Sequence, residues 1–209
     1  MTKKELAAEI IDRLKIEYPN VQCTLNYSTP VEMLFATQLS AQCTDARVNI
    51  VTADLFKKYT SVYDFANADY DELCNDIRST GFYKNKAKNM IAAAKRIIDV
   101  YGGEVPDTME DLLTLPGTGR KTANLVLGDI FKKPAIVVDT HCIRLSNRMG
   151  LTKNSDPIKI ESDLRKIVPP EESLDFCHRL VAHGRAVCPA RKPKCDMCTL
   201  NNICKKKGM

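Results

Sequence analysis

An all-α fold of around ten helices joined by short loops is what the sequence predicts, and three observations carry it. Apolar residues recur at helical spacing through almost the whole chain. Threonine and aspartate cap signals, some followed by proline, open these stripes, and glycine or proline closes them. The one strand-like run, Ile136 to Val138, has no second run to pair with and reads as a buried connector that delivers Asp139 to a helix start. With 44% hydrophobic and 27% charged residues the chain is neither disordered nor membranous, and its length allows one good core or two small ones. The first eighteen residues mix lysines and glutamates and lack an apolar run fit for a signal peptide, so export is not expected.

Thr2-Lys3-Lys4-Glu5 is a capping box, followed by the stripe Leu6, Ile10, Leu14 that stops at Pro19. Thr29-Pro30-Val31-Glu32 repeats the start signal and opens a strongly apolar helix through Leu39. Ser40 to Asp45 is a polar break, hence a surface loop, before a helix carrying Val48, Val51 and Phe56. At Ile77 to Tyr83 a helix ends at Gly81, and Phe82 is placed at an exposed turn ahead of a helix bearing Ala87, Ile91, Ala94 and Ile98. Asp156-Pro157 opens a helix that Pro169-Pro170 stops, and a last helix runs from about 172 to 187.

Between the apolar patterns at 108–113 and 122–131 lies Leu115-Pro116-Gly117-Thr118-Gly119-Arg120-Lys121, too short for a strand. Thr108 caps the first pattern, Pro116 ends it, and the two glycines admit backbone angles and a close approach that a Cβ would forbid. The result is a helix hairpin whose second N-terminus is a ready anion site, well suited to a nucleic-acid phosphate. An ordinary helix–helix turn would use the same glycines, but not the same cations. Arg120 and Lys121 fall in a first turn, where the macrodipole disfavours positive charge by roughly 0.3–1 kcal/mol each. A phosphate compensates Arg120, while partial burial is expected to favour the neutral amine of Lys121, as an amine nucleophile requires.

Cys188, Cys195, Cys198 and Cys204 form C-x6-C-x2-C-x5-C, a span too short for a core of its own. Four thiolates so close need a metal, and zinc and a four-iron cluster both accept four cysteines. The six-residue gap holds Arg191, Lys192 and Lys194 beside two prolines, a metal-fixed loop with cations on its rim and hence a phosphate clamp. Cysteines 23, 43, 74, 142 and 177 read as small buried hydrophobes. The net charge of +5 is concentrated near the C-terminus, and nine cysteines without a secretion signal point to a reducing compartment.

Taken together, the glycine hairpin, Lys121, Val138-Asp139-Thr140-His141 and the cysteine spacing make the chain resemble the endonuclease III family of the helix-hairpin-helix DNA glycosylase superfamily. The resemblance implies two helical domains with a DNA-binding cleft between them: a central domain of 21–133 holding the hairpin, and 1–20 with 134–209 forming a domain with a [4Fe-4S] cluster. Zinc becomes the minor alternative. It further implies a bifunctional enzyme that removes oxidised pyrimidines from double-stranded DNA and cleaves abasic sites by β-elimination. Lys121 and Asp139 would be catalytic, and Gln42 and Phe82 would enter the duplex. Leu115, Gly117, Gly119, Arg120, Arg191, Lys192 and Lys194 would complete the DNA contacts. A cytoplasmic, nucleoid-associated monomer with no membrane partner is expected.

Relatives often carry an aliphatic residue where Phe82 stands, so no opposite-base preference carries over. His141 receives no catalytic role, and Asp45 reads as part of a helix cap. Adenine-mismatch glycosylases lack a lysine at the position of Lys121. A non-catalytic DNA-binding module or an electron-transfer protein would use the hairpin or the cysteines without it.

Overall fold

A computed structural model describes residues 1–208. Eleven α-helices occur among them: α1 (Lys3–Glu17), α2 (Pro30–Leu39), α3 (Asp45–Lys58), α4 (Val62–Ala66), α5 (Tyr70–Asp76), α6 (Tyr83–Tyr101), α7 (Met109–Leu112), α8 (Arg120–Asp129), α9 (Thr140–Met149), α10 (Pro157–Arg165) and α11 (Ser173–Ala186). Short 3-10 turns lie at Arg78–Thr80, Pro170–Glu172 and Cys195–Met197. The described residues contain no strand, and Ala135, Ile136 and Val137 form a buried extended connector instead. No described helix is long and apolar enough to cross a membrane.

The helix starts follow from local hydrogen bonding. Thr2 and Glu5 form the reciprocal capping box of α1. Thr29 caps α2 ahead of Pro30, and Thr108 caps α7. At α3 the cap is Thr44, which accepts from the Arg47 N–H, while Asp45 occupies the first turn and accepts from the Thr24 hydroxyl at 2.6 Å.

The chain divides into two compact units. One is Cys23–Lys132, and the other joins the first 22 residues to those from Lys133 onward. In the Cys23–Lys132 unit, α2 packs on α3, α6 and α8, and α6 on α4 and α5. Phe35 and Phe65 meet edge to face with centroids 4.5 Å apart, beside Leu34, Leu39, Leu73 and Met90. Each such fully buried side chain contributes about 1.5–3 kcal/mol of transfer free energy. In the other unit α11 packs on α1 and α9, burying Leu6, Ile10, Leu14, Leu145, Phe176 and Leu180. The stripe read in α1 therefore docks on a helix more than 150 residues away. Its Arg13 also donates to the Thr199 carbonyl at 2.8 Å and to Asn202 Oδ1 at 2.6 Å.

Candidate functional site

In the Cys23–Lys132 unit, α7 and α8 form the expected hairpin. Thr118 N–H closes a turn on the Leu115 carbonyl at 3.0 Å, and Gly117 adopts φ 76°. Gln38, buried on α2, donates through Nε2 to the Pro116 carbonyl at 3.0 Å and to Thr118 Oγ1 at 3.1 Å, so the turn is braced from behind. Gly119 offers no side chain to cap α8, and the helix begins directly at Arg120. Its backbone (φ −93°) needs no glycine, and a Cβ there would meet nothing within 4 Å.

Two expectations at this hairpin change. Leu115 is 1% exposed, with its N–H on Leu112 and its carbonyl on Thr118, so it anchors the turn and its side chain is not available as a DNA contact. Lys121 is exposed rather than partly buried: it stands in the first turn of α8, ahead of the run Thr122–Asp129, which is buried throughout. Arg120 beside it is half-exposed.

Gln42 and Phe82 lie in the same unit, each at an exposed turn and each with a left-handed backbone, φ 54° and 49°. Phe82 is 63% exposed and caps α6 without a side-chain hydrogen bond. An apolar ring is thus held out in water on a sparsely populated backbone conformation. A recess of about 240 Å³ opens beside them, lined also by Gln38, Asn85, Lys86 and Asn89.

In the other unit, the buried connector ends at half-exposed Asp139, the N-cap of α9, whose Oδ1 accepts from the Cys142 N–H at 2.7 Å. The cap fixes the carboxylate and leaves its second oxygen for other work. His141 packs against Gly184, where a Cβ would lie 2.4 Å from its Nδ1, and bonds Arg144 at 3.1 Å, a supporting position.

The four cysteines at 188, 195, 198 and 204 form no disulfide, are all half-buried, and line one recess. Burial first, and then the neighbouring thiols, push Cys198 and Cys204 above the usual thiol range. The Arg148 guanidinium donates to Cys188 Sγ at 3.2 Å and to the Pro189 and Ala190 carbonyls at 2.8 Å each. His183 Nε2 lies 3.4 Å from Cys198 Sγ, and Nδ1 of the same ring 3.2 Å from the Tyr18 hydroxyl. Among the described residues no three His, Cys, Asp or Glu side chains converge tightly enough for a single ion. On the loop rim, Arg191 and Lys192 are exposed; Lys194 turns back to donate to the Ala186 carbonyl at 3.1 Å and closes the end of α11. Of the other five cysteines, Cys74, Cys142 and Cys177 are buried as expected, whereas Cys23 and Cys43 are half-buried.

Several of these groups had no signal in the sequence. Gln38, Lys86, Arg148 and His183 are polar residues on amphipathic helices, which ordinarily face water, and all four are buried. Only tertiary partners distinguish them.

The chain thus carries a helix hairpin with an exposed, uncapped second helix start and a four-cysteine recess, and residues 35–170 match the model of the HhH-GPD superfamily base excision DNA repair proteins. Endonuclease III of Synechocystis sp. is 52% identical over 97% of this chain and 93% of its own length. That of Bacillus subtilis is 44% identical over 94% and 90%. A solved structure of a trapped endonuclease III–DNA covalent intermediate is 42% identical, with TM-score 0.93 over 99% of this chain and 97% of that one. The chain belongs to the HhH-GPD superfamily of base excision DNA repair enzymes and, within it, to the endonuclease III family.

Proposed function

We propose that this enzyme removes oxidised or ring-saturated pyrimidines from duplex DNA and then cleaves the resulting abasic site as a lyase. The carrying observation is Lys121, an exposed lysine in the first turn of an uncapped helix, beside a glycine whose bareness nothing in the protein requires. The fold has no use for a cation there, and amine chemistry does.

Extrusion of the damaged nucleotide costs a few kcal/mol, less when the base already stacks badly. Gln42 and Phe82 fill and wedge the gap it leaves. Gly117, Gly119 and Arg120 hold the backbone through phosphate contacts, and exposed Arg191 and Lys192 add charge-based grip. Lys121 Nζ forms a bond to C1′ as the N-glycosidic bond breaks, and the base leaves with that electron pair and takes up a proton. Opening of the sugar ring yields a Schiff base, whose acidified C2′ proton is lost as the C3′–O bond breaks and the 3′ phosphate departs. Water then releases Lys121. The Asp139 carboxylate stabilises the positive sugar and accepts the proton that Lys121 loses on attack.

Within this proposal the cysteine recess is the site of a [4Fe-4S] cluster rather than zinc, a reading supported by the C-x6-C-x2-C-x5-C spacing and by four half-buried thiols lining one recess, with the Arg148 cation facing one of them. Cys188, Cys195, Cys198 and Cys204 would hold such a cluster, and its metal–thiolate bonds would pin the 188–204 segment and its Arg191 and Lys192 rim.

Lys121→Ala is expected to keep duplex binding and lose strand cleavage. Normal nicking of damaged DNA by that variant would refute the mechanism. Asp139→Asn lowers the rate far more than the affinity, and equal losses in both would reduce Asp139 to a helix cap.

A further inference from the structure

Lys86 lies in the first turns of α6 and is 7% exposed. Its ammonium donates to the Leu39 carbonyl at 2.8 Å and to the Thr80 carbonyl at 2.9 Å, and its main-chain N–H donates to the Phe82 carbonyl at 3.1 Å. Those partners belong to two separate segments. Leu39 ends α2 and leads into the loop that carries Gln42; Thr80 ends a 3-10 turn and leads through Gly81 to Phe82. Burying an ammonium costs more than burying an aliphatic side chain of equal length, so packing alone does not call for a lysine here. What lysine provides is one atom with three donors, able to satisfy carbonyls from both segments at once.

Both segments place an exposed residue in a conformation that L-amino acids seldom hold, Gln42 at φ 54° and Phe82 at φ 49°. Such conformations persist only where their surroundings over-determine them. Lys86 is the group common to both surroundings, and it lines the recess that opens beside the two side chains.

We propose that Lys86 is a positioning residue that fastens the Gln42 loop to the Phe82 turn, so that the two side chains enter DNA as one preset pair. This rests on the reading of Gln42 and Phe82 as residues that enter the duplex. Without the fastening, each segment must be ordered on binding, and that cost falls on the step that opens the base stack. A target nucleotide that is already unstacked escapes it.

The test compares single-turnover excision of thymine glycol in a fully paired duplex with excision of the same lesion in a bubble of unpaired bases. Wild type, Lys86→Met, Lys86→Arg, Gln42→Ala/Phe82→Ala and the corresponding triple variant are measured. Lys86→Met should lose about tenfold or more on the paired duplex and about twofold or less on the bubble. Lys86→Arg, which keeps donors for both carbonyls, should recover part of the loss. The triple variant should be no slower than the double. Equal losses on both substrates would show a merely structural lysine and overturn the proposal, as would additive losses in the triple variant. If Gln42→Ala/Phe82→Ala matches wild type on the paired duplex, the reading of those two residues fails and this proposal with it. If the double variant is slow and Lys86→Met is not, only the role of Lys86 falls. Should Lys86→Met not fold, Lys86→Gln, whose amide nitrogen stands one bond short of the lysine Nζ, is held to the same contrast.

Discussion

Gly117 and Gly119 stand two positions apart and are glycine for different reasons. At Gly117 φ is 76° and a Cβ would lie 2.9 Å from the Asn89 Cβ, so the fold itself demands the residue. At Gly119 φ is ordinary and a Cβ meets nothing. Gly117→Ala should destabilise by roughly 1–2 kcal/mol in denaturant unfolding. For Gly119→Ala, a poorer helix cap is offset by lower entropy of the unfolded chain, leaving stability within about 0.5 kcal/mol while duplex affinity falls. Unchanged affinity in Gly119→Ala would mean that nothing approaches that bare backbone. The sequence presents both glycines alike, and only built backbone angles separate them. Lys121 was visible because a cation is out of place at a helix start; its exposure was not, since that depends on how far the rest of the unit covers the start of α8.

At the scale of elements, the helix starts were the most legible feature, because a cap is decided within four residues. Thr2, Thr29, Thr108, Asp139 and Asp156 all accept the hydrogen bonds their spacing implied. The short helices α4 and α5, capped by Ser61 and Asp69, are too brief for a stripe to stand out. Helix-to-helix bracing was illegible throughout. Gln38 supports the hairpin across 78 residues, and Gln38→Leu strands the Pro116 carbonyl, costing about 1–3 kcal/mol and more in duplex affinity than in fold. A second cap-like network carries a pH signature. The Thr152 hydroxyl at 2.6 Å, with the Asn154 amide at 2.7 Å, holds the Asp163 carboxyl below the usual carboxylate range. A lowered folded pKa contributes stability above the unfolded value near 3.9, and that stability is lost as pH falls through the folded value. The stability gap between wild type and Asp163→Asn should therefore shrink from near pH 7 to near pH 3. A gap constant across that range would contradict it.

For the whole molecule, the cysteine spacing was legible because it is local, while the groups that pack against the cysteine segment arrive from elsewhere in the chain. Arg148 reaches Cys188 across 40 residues, and Arg13 on α1 holds the Thr199 carbonyl across 186. The protein should be brown, and Cys195→Ser should abolish the visible absorbance and expose the 188–204 segment to protease, leaving the Cys23–Lys132 unit resistant. A colourless anaerobic preparation with stoichiometric zinc would overturn the cluster assignment. The central claim is that Lys121 forms a covalent bond to the sugar. Borohydride trapping on duplexes carrying thymine glycol or an abasic site tests it most directly, with Lys121→Gln as the control. A covalent adduct on both substrates, absent in the control, is the predicted result; no adduct on either, or an adduct that survives Lys121→Gln, would contradict it.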